Sequence, residues 1–457
     1  MVANSAGLSS TDDLMVPRIV GNGLVLRWST PNDVERIAAL SSAVFRDKID
    51  DPPNVRNAAW TRDLGSGRHP LTTVDQGLLV EDPGTGLVVA SMWLIPTAWS
   101  FAGIRFGVGR PESVASHPDY RRQGLVRAMF TAFHARSAAA GELVQAITGI
   151  PYYYRQFGYD MALELGGTRS VAFDDVPPLK DGETEPYHLQ AATTGDLPFV
   201  MERYEHERRR SLVTSEIPAA YWRWMIDGVS LESGEGWTTL IMQNAAGTRC
   251  GFVLARKTRW GKTLGIQHIV VCPGVPWPAV IPPVLRALRD HAGTVPPNGR
   301  EPVEPTRLGF MLGTAHPAYT VLRETLAPRQ ERPYAWYVRV ADLPGFLRHV
   351  APVLEERLGH SPLAGYTGEL RLDFYRGGLR LGFADGRLTV AEDWQRPAYE
   401  GNPSAGFPPL LFFQLLFGRR SRTELEYVLP DVWSNEEAAM VLDILFPPQS
   451  SLVIPLD

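Results

Sequence analysis

Two cysteines in 457 residues, Cys250 and Cys272, cannot make a disulfide framework, and neither stands in a C-x-x-C pair or at zinc-ligand spacing. Each reads as a buried free thiol, because a lone cysteine behaves as a small hydrophobe. No apolar run approaches the about 18 residues that would cross a bilayer. The first thirteen residues carry acids where a secretory leader would carry a basic region and an apolar block. A cytoplasmic chain with no membrane partner is expected. Charge of one sign is lacking too: 45 Lys and Arg against 50 Asp and Glu leave a net charge of −5, without the excess of basic residues that nucleic-acid binding needs. That balance suits a small cationic substrate. His134, His188, His206 and His360 stand apart from one another, so no metal is expected. A Walker A loop and a G-x-S-x-G elbow are also missing; Gly401-Asn-Pro-Ser404-Ala-Gly406 has the wrong spacing for the latter.

What is present is an ordinary globular composition, 44% hydrophobic, in a chain whose length suggests three domains at roughly 150 residues each. Its most informative stretch runs from Ser113 to Phe130, where a strand gives way to the basic turn Tyr120-Arg-Arg-Gln-Gly-Leu-Val126 and then to a helix. The first amides of a helix have no intrahelical acceptor, and the positive end of its dipole lies behind them, so the turn can cradle a phosphate or pyrophosphate. Gly124 removes a Cβ where the anion would approach the backbone. Arg121, Arg122 and Arg127 add cations that a helix N-terminus otherwise disfavours. Leu125, Val126, Met129, Phe130 and Phe133 recur at helical spacing, and Gly141 ends the helix.

The string R-R-x-G-L-x-R resembles the acetyl-CoA pyrophosphate loop of the GNAT superfamily of N-acetyltransferases, [Q/R]-x-x-G-x-[G/A], with Val126 departing at the last position. The branch that resembles the enhanced intracellular survival (Eis) acetyltransferases tolerates an aliphatic residue there. Gly149-Ile-Pro-Tyr-Tyr-Tyr-Arg-Gln-Phe-Gly-Tyr159 is similar to the Eis-like I-Y-x-x-F-G-Y segment, in the right order and at the right separation.

Other segments outline an α/β (α+β) chain. Leu24 to Trp28 reads as a strand, and Thr30-Pro-Asn-Asp33 as a helix start with an N-cap, a proline and an acid in the first turn. Strands follow at Gln76 to Val80, Gly86 to Ile95 and Leu143 to Thr148. Tyr187 to Leu197 repeats the strand and Thr-x-x-Asp order of Leu24 to Val34 at an offset of 193 − 30 = 163 residues. Arg249 to Ala255 and Leu264 to Val271 match the paired central strands, and Ala279 to His291 the helix. The second copy reads Cys272-Pro-Gly-Val-Pro-Trp-Pro278 where the cradle should be; it lacks the arginines, and its prolines cannot donate backbone hydrogen bonds. Pro296 to Pro305 is a loop within this copy. A third unit starts near Tyr337, with a helix from about Leu343 to Leu358, strands at Gly368 to Tyr375, Gly378 to Phe383 and Arg387 to Ala391, and helices at Pro408 to Phe417 and Asn435 to Leu445. This order resembles the sterol-carrier-protein-like domain of Eis-type proteins. The expected division is two tandem GNAT-type domains, 18–170 with the acetyl-CoA site and 171–335 degenerate, followed by a sterol-carrier-protein-like domain, 336–457.

The resemblance implies acetyl transfer from acetyl-CoA to a primary amine of a small or polyamino substrate, within a homo-oligomer that is commonly a hexamer. Val114, Ala115 and Ser116 would pair with the pantetheine arm, and Arg121, Arg122, Gln123, Gly124, Leu125, Val126 and Arg127 would hold the pyrophosphate. Gly149 and Ile150 would flank the cleft. Tyr154 falls on the family's general acid, with Tyr152 and Tyr153 just before it; a phenol of reference pKa about 10 stays protonated at neutral pH. The family's base is the carboxylate at the chain end, here Asp457, with Leu452 to Leu456 as an apolar anchor. Asp47, near Asp50 and Asp51, is a candidate for gripping the amine. A sensing protein built on the C-terminal domain, and a protein-lysine acetyltransferase, are the alternatives.

Overall fold

The structure, a computed structural model, describes residues 16–46, 48, 50–165, 169–298, 303–313, 315–327, 334–396 and 402–456. The first unit holds strands β1 (Arg18–Val20), β2 (Leu24–Trp28), β3 (Gly77–Asp82), β4 (Leu87–Phe101), β5 (Ile104–Ser116), β6 (Val144–Ile147) and β7 (Asp160–Leu165), with helices α1 (Val34–Val44), α2 (Val55–Gly65) and α3 (Leu125–Ala139). The Thr30 amide and hydroxyl both donate to Asp33 Oδ2, at 2.9 and 2.7 Å, which closes the capping box ahead of α1. Arg27 on β2 grips the same carboxylate.

Strands β1 to β5 form an antiparallel run, and β6 joins β5 in parallel. Two features of β5 prepare a site. Ser113 and Val114 together face Met92, a bulge that leaves Ser113 at φ 48°. Pairing of β5 with β6 covers only Val108↔Val144 and Gly109↔Gln145, so the two strands part above Gly109. Gly109 is required at that fork, because a Cβ there would lie 2.3 Å from Glu142 Oε2 and 2.5 Å from Ser137 Oγ.

The second unit contributes β8 (Arg169–Ala172), β9 (Tyr187–Ala191), β10 (Val213–Glu216), β11 (Trp237–Asn244), β12 (Arg249–Arg256), β13 (Thr263–Val271) and β14 (Arg307–Phe310), with α4 (Leu197–Arg208), α5 (Ala219–Asp227), α6 (Trp277–Thr294) and α7 (Pro317–Leu322). Its sheet order is β8-β14-β13-β12-β11-β9, in which β9-β11-β12-β13-β14 repeats β2-β3-β4-β5-β6 of the first unit, including a parallel β13–β14 pair in the place of β5–β6. The repeated Thr-x-x-Asp is again a capping box, with the Thr193 amide and hydroxyl on Asp196 Oδ2 at 2.9 and 2.8 Å. In the second copy the fork is plugged. His316 Nδ1 accepts from the Ala318 amide at 3.2 Å, so Nε2 carries the proton and faces the Ile269 carbonyl at 3.1 Å. Its ring is flanked by Trp277, Tyr319 and His268.

Burial holds His316 at about 4 and His268 at about 3, below their ordinary 6.5, so both are neutral when folded. As pH falls, the unfolded chain takes up these protons first. The stabilisation is therefore complete above about 6.5 and is lost as pH drops towards 4. His316→Asn keeps an N-cap acceptor for α7 but removes one of these protons. Its melting temperature should fall less steeply between pH 6.5 and 4 than that of the parent, as read by calorimetry; parallel curves would count against the assignment.

The third unit begins differently from expectation. The boundary expected at 336 falls inside strand β15 (Tyr334–Val340), which lies between β6 and β7 in the first sheet. Strand β10 also joins that sheet by pairing with Phe101 to Ala98 of β4, making nine strands. The rest comprises α8 (Leu343–His349), α9 (Ala351–Gly359), β16 (Gly368–Asp373), β17 (Gly378–Ala384), β18 (Arg387–Trp394), β19 (Ala405–Gly406), α10 (Phe412–Leu416), α11 (Arg422–Val428), β20 (Trp433–Ser434) and α12 (Glu436–Leu445). The single helix expected from Leu343 to Leu358 is thus two, broken at Val350, where Pro352 sits in the first turn of the second. The C-terminal strap then crosses between units. The Leu212 amide donates to the Ser450 carbonyl at 2.8 Å, the Leu452 amide to Val213, and the Ile454 amide to Ser215 Oγ at 2.7 Å. Ile454 and Leu456 are buried in the core formed by α4 and α5.

Candidate active site

The turn after β5 is held by Tyr120, whose hydroxyl donates to Asp82 at 2.7 Å. Arg122 and Gly124 both take left-handed backbone, φ 63° and 77°, and Gly124 is the N-cap of α3. The first helical hydrogen bond runs from the Ala128 amide to Gly124, and among the described residues no backbone acceptor meets the amides of Leu125, Val126 or Arg127. These three amides lie at the positive end of the helix dipole, where an anion is favoured. A Cβ on Gly124 would touch nothing within 4 Å, so that side of the turn is open. Arg121 leans back on the Ser116 carbonyl at 3.3 Å, Arg122 is exposed, and Gln123 lies against Gly21 of the β1–β2 turn. Arg127 stacks over Phe157 and donates to Gln156, so it ties α3 to the tyrosine segment.

The structure separates the three tyrosines. Tyr152 is 74% exposed and Tyr153 is half-buried, whereas Tyr154 is 6% exposed. Tyr154 packs edge-on against Phe130 and Tyr337, and its ring covers the backbone of Gly149 so closely that a Cβ there would lie 2.8 Å from Cε2. Gly149 stands at φ 148°, and its amide donates to the Tyr334 hydroxyl at 2.9 Å. Tyr337 accepts from the Tyr152 amide, so β15 supplies two phenols that set the tyrosine segment in place. Among the described residues no group is hydrogen-bonded to the Tyr154 hydroxyl. Burial, and then the charge of Glu112, push its pKa well above the ordinary value, which keeps it a proton donor.

Facing this wall, β5 carries Arg110 and Glu112. Arg110 is buried, lies over the Trp336 ring at 5.0 Å, and donates to Glu112 Oε2 at 3.1 Å and to the Leu456 carbonyl at 2.6 Å. Glu112 Oε1 also accepts the Ser113 amide at the bulge. Val114 and Ser116 are half-buried along the open edge of β5, while Ala115 is buried. Ile150, at the other lip, is 63% exposed.

The fork therefore brings together Val114 to Ser116, the turn from Arg121 to Arg127, Gly149 and Tyr154. Asp47 and Asp457 lie outside the described residues. Sequence reading missed Arg110, Glu112, Tyr334 and Tyr337. A charged Arg-x-Glu pair in the middle of a strand was the available signal for the first two. The last two come from a strand whose place in the sheet no local pattern reveals. Among the described residues no group of three or more His, Cys, Asp or Glu could hold a metal.

A parallel strand pair forked above a bulge, with a helix N-terminus over the fork, defines a GNAT-type acetyltransferase fold, and residues 26–162 match the acetyltransferase (GNAT) domain family. Residues 26–162 thus carry an acetyltransferase (GNAT) domain at the front of the chain. Over 94% of its length the chain shares a fold with solved structures: a GCN5-related N-acetyltransferase from Anabaena variabilis (13% identity, 94% of this chain and 99% of that chain, TM-score 0.63), a probable N-acyltransferase from Enterococcus faecalis (14%, 94% and 99%, 0.65), and Eis1 from Mycobacterium abscessus (15%, 94% and 99%, 0.55). No curated protein sequence matches the chain.

Proposed function

We propose that the enzyme transfers an acetyl group from acetyl-CoA directly to a primary amine of a small or polyamino acceptor, within one ternary complex. The observation that carries this reading is the fork above Gly109 with the buried Tyr154 side chain beside it. The pantetheine arm lies along Val114 to Ser116, flanked by Gly149 and Ile150. The pyrophosphate rests on the amides of Leu125 to Arg127, with Arg121, Arg122, Gln123 and Gly124 around it. The amine nitrogen attacks the thioester carbonyl carbon and gives up a proton to a carboxylate. Asp457, which follows Leu456 in the chain, is one candidate base, and Glu112 on β5 is the other. As the carbon–sulfur bond breaks, Tyr154 protonates the leaving thiolate.

Binding of acetyl-CoA tests the reading at its base. In Gly124→Val the side chain occupies the open side of the turn and forces a left-handed φ on a β-branched residue. The dissociation constant measured by calorimetry should rise by about tenfold or more, equivalent to at least about 1.4 kcal/mol. An unchanged constant would remove the turn from the cofactor site, and no binding to the parent protein would end the proposal.

A further inference from the structure

Strand β4 has a gap along its outer edge. Strand β3 pairs with it as far as Trp93, β10 takes up again at Ala98, and among the described residues no strand covers the interval. A cavity of about 720 Å³ opens at this notch, within the size range of small-molecule sites. Its walls come from separate parts of the chain: Leu71 ahead of β3, Pro96 on β4, Met201 on α4, Trp222 on α5 and Leu456 on the strap.

Leu456 links the cavity to the fork. Its side chain lines the cavity, and its carbonyl is held by Arg110, the same guanidinium that holds Glu112. The cavity's own charges are already used. Glu205 is bridged by Arg208 and Arg209, Glu216 by Arg105 at 2.7 Å, and Glu202 by Arg203. A second ammonium group entering here would find carboxylates that already have partners, so it would lose its water shell for little return. The apolar walls offer the opposite: burial of a hydrocarbon body is favourable in proportion to the apolar surface taken out of water.

Resting on the amine-acetylating reading above, we infer that this notch receives the uncharged, apolar body of the acceptor, so that the enzyme acts on monoamines with an alkyl or arylalkyl body in preference to polyamines. The amine head points past Leu456 to the fork, and the body stays among Leu71, Met201 and Trp222.

The test compares 2-phenylethylamine with spermidine by coenzyme A release, in the parent and in Met201→Trp and Ala98→Trp, both of which narrow the notch. In the parent, kcat/KM should favour 2-phenylethylamine by about tenfold or more, the scale on which apolar pockets discriminate. In Met201→Trp that preference should collapse through a rise in KM, with KM for acetyl-CoA unchanged. Ala98→Trp should behave alike; Met201 sits on a helix face, where a larger side chain is accommodated without disturbing the sheet, so it decides the matter if Ala98→Trp fails to fold. Equal or better turnover of spermidine, or an amine preference untouched by Met201→Trp, would overturn the inference while leaving amine acetylation intact. A parent that binds acetyl-CoA but acetylates neither amine also overturns it, whereas one that does not bind acetyl-CoA overturns the reading beneath it.

Discussion

Tyr154→Phe is expected to lower kcat for coenzyme A release by about 100-fold or more, the usual scale for losing a positioned general acid. KM for acetyl-CoA should stay near that of the parent. The change removes one hydroxyl from a ring otherwise fixed by Phe130, Tyr337 and the backbone of Gly149, so packing and cleft shape survive. What is lost is a proton that burial and the Glu112 charge hold on the phenol throughout the neutral range. The effect should be specific to its position. Tyr152→Phe, at an exposed ring, should leave kcat within about twofold, well under the 1.4 kcal/mol of a tenfold change. An equal loss in both variants would mean a disturbed segment, and no loss in Tyr154→Phe would take that residue out of the chemistry.

A second large effect is expected in stability. Arg110→Met keeps length and contact with Trp336 but removes the guanidinium between Glu112 and the Leu456 carbonyl. Arg110 is buried but Glu112 is partly exposed, so loss of the guanidinium, which leaves the Leu456 carbonyl without this donor, should cost about 1 to 3 kcal/mol. Urea unfolding should show a loss of this order, and the strap beyond Ser450 should become open to limited proteolysis. A midpoint within error of the parent would show that the strap is held by the Ser215 and Trp336 contacts instead.

Much of the candidate site's backbone geometry was legible because it is local. Arg121 to Arg127 and Gly149 to Tyr159 are continuous segments whose backbone needs glycine, whose helix start leaves amides free, and whose aromatics pack on the next turn of α3. The repeat at Thr193 was legible for the same reason, since a capping box spans four residues. Arg110 and Tyr337 were not, because their meaning depends on partners 346 and 185 residues away. Strand Tyr334–Val340 reads like any apolar strand, and only pairing with Ile147 and Leu163 assigns it to the first sheet. Helix α11 was missed because its polar run Arg422 to Tyr427 hides a capping box at Ser421 and Glu424.

The position of β15 sets an order of events in synthesis. Strands β6 and β7 emerge from the ribosome with an open lane between them, and the strand that fills it follows only after the entire plugged copy has been made. The first sheet cannot close until residues 334–340 have been made. In the finished molecule the second unit is the spacer whose folded length returns the chain to that lane.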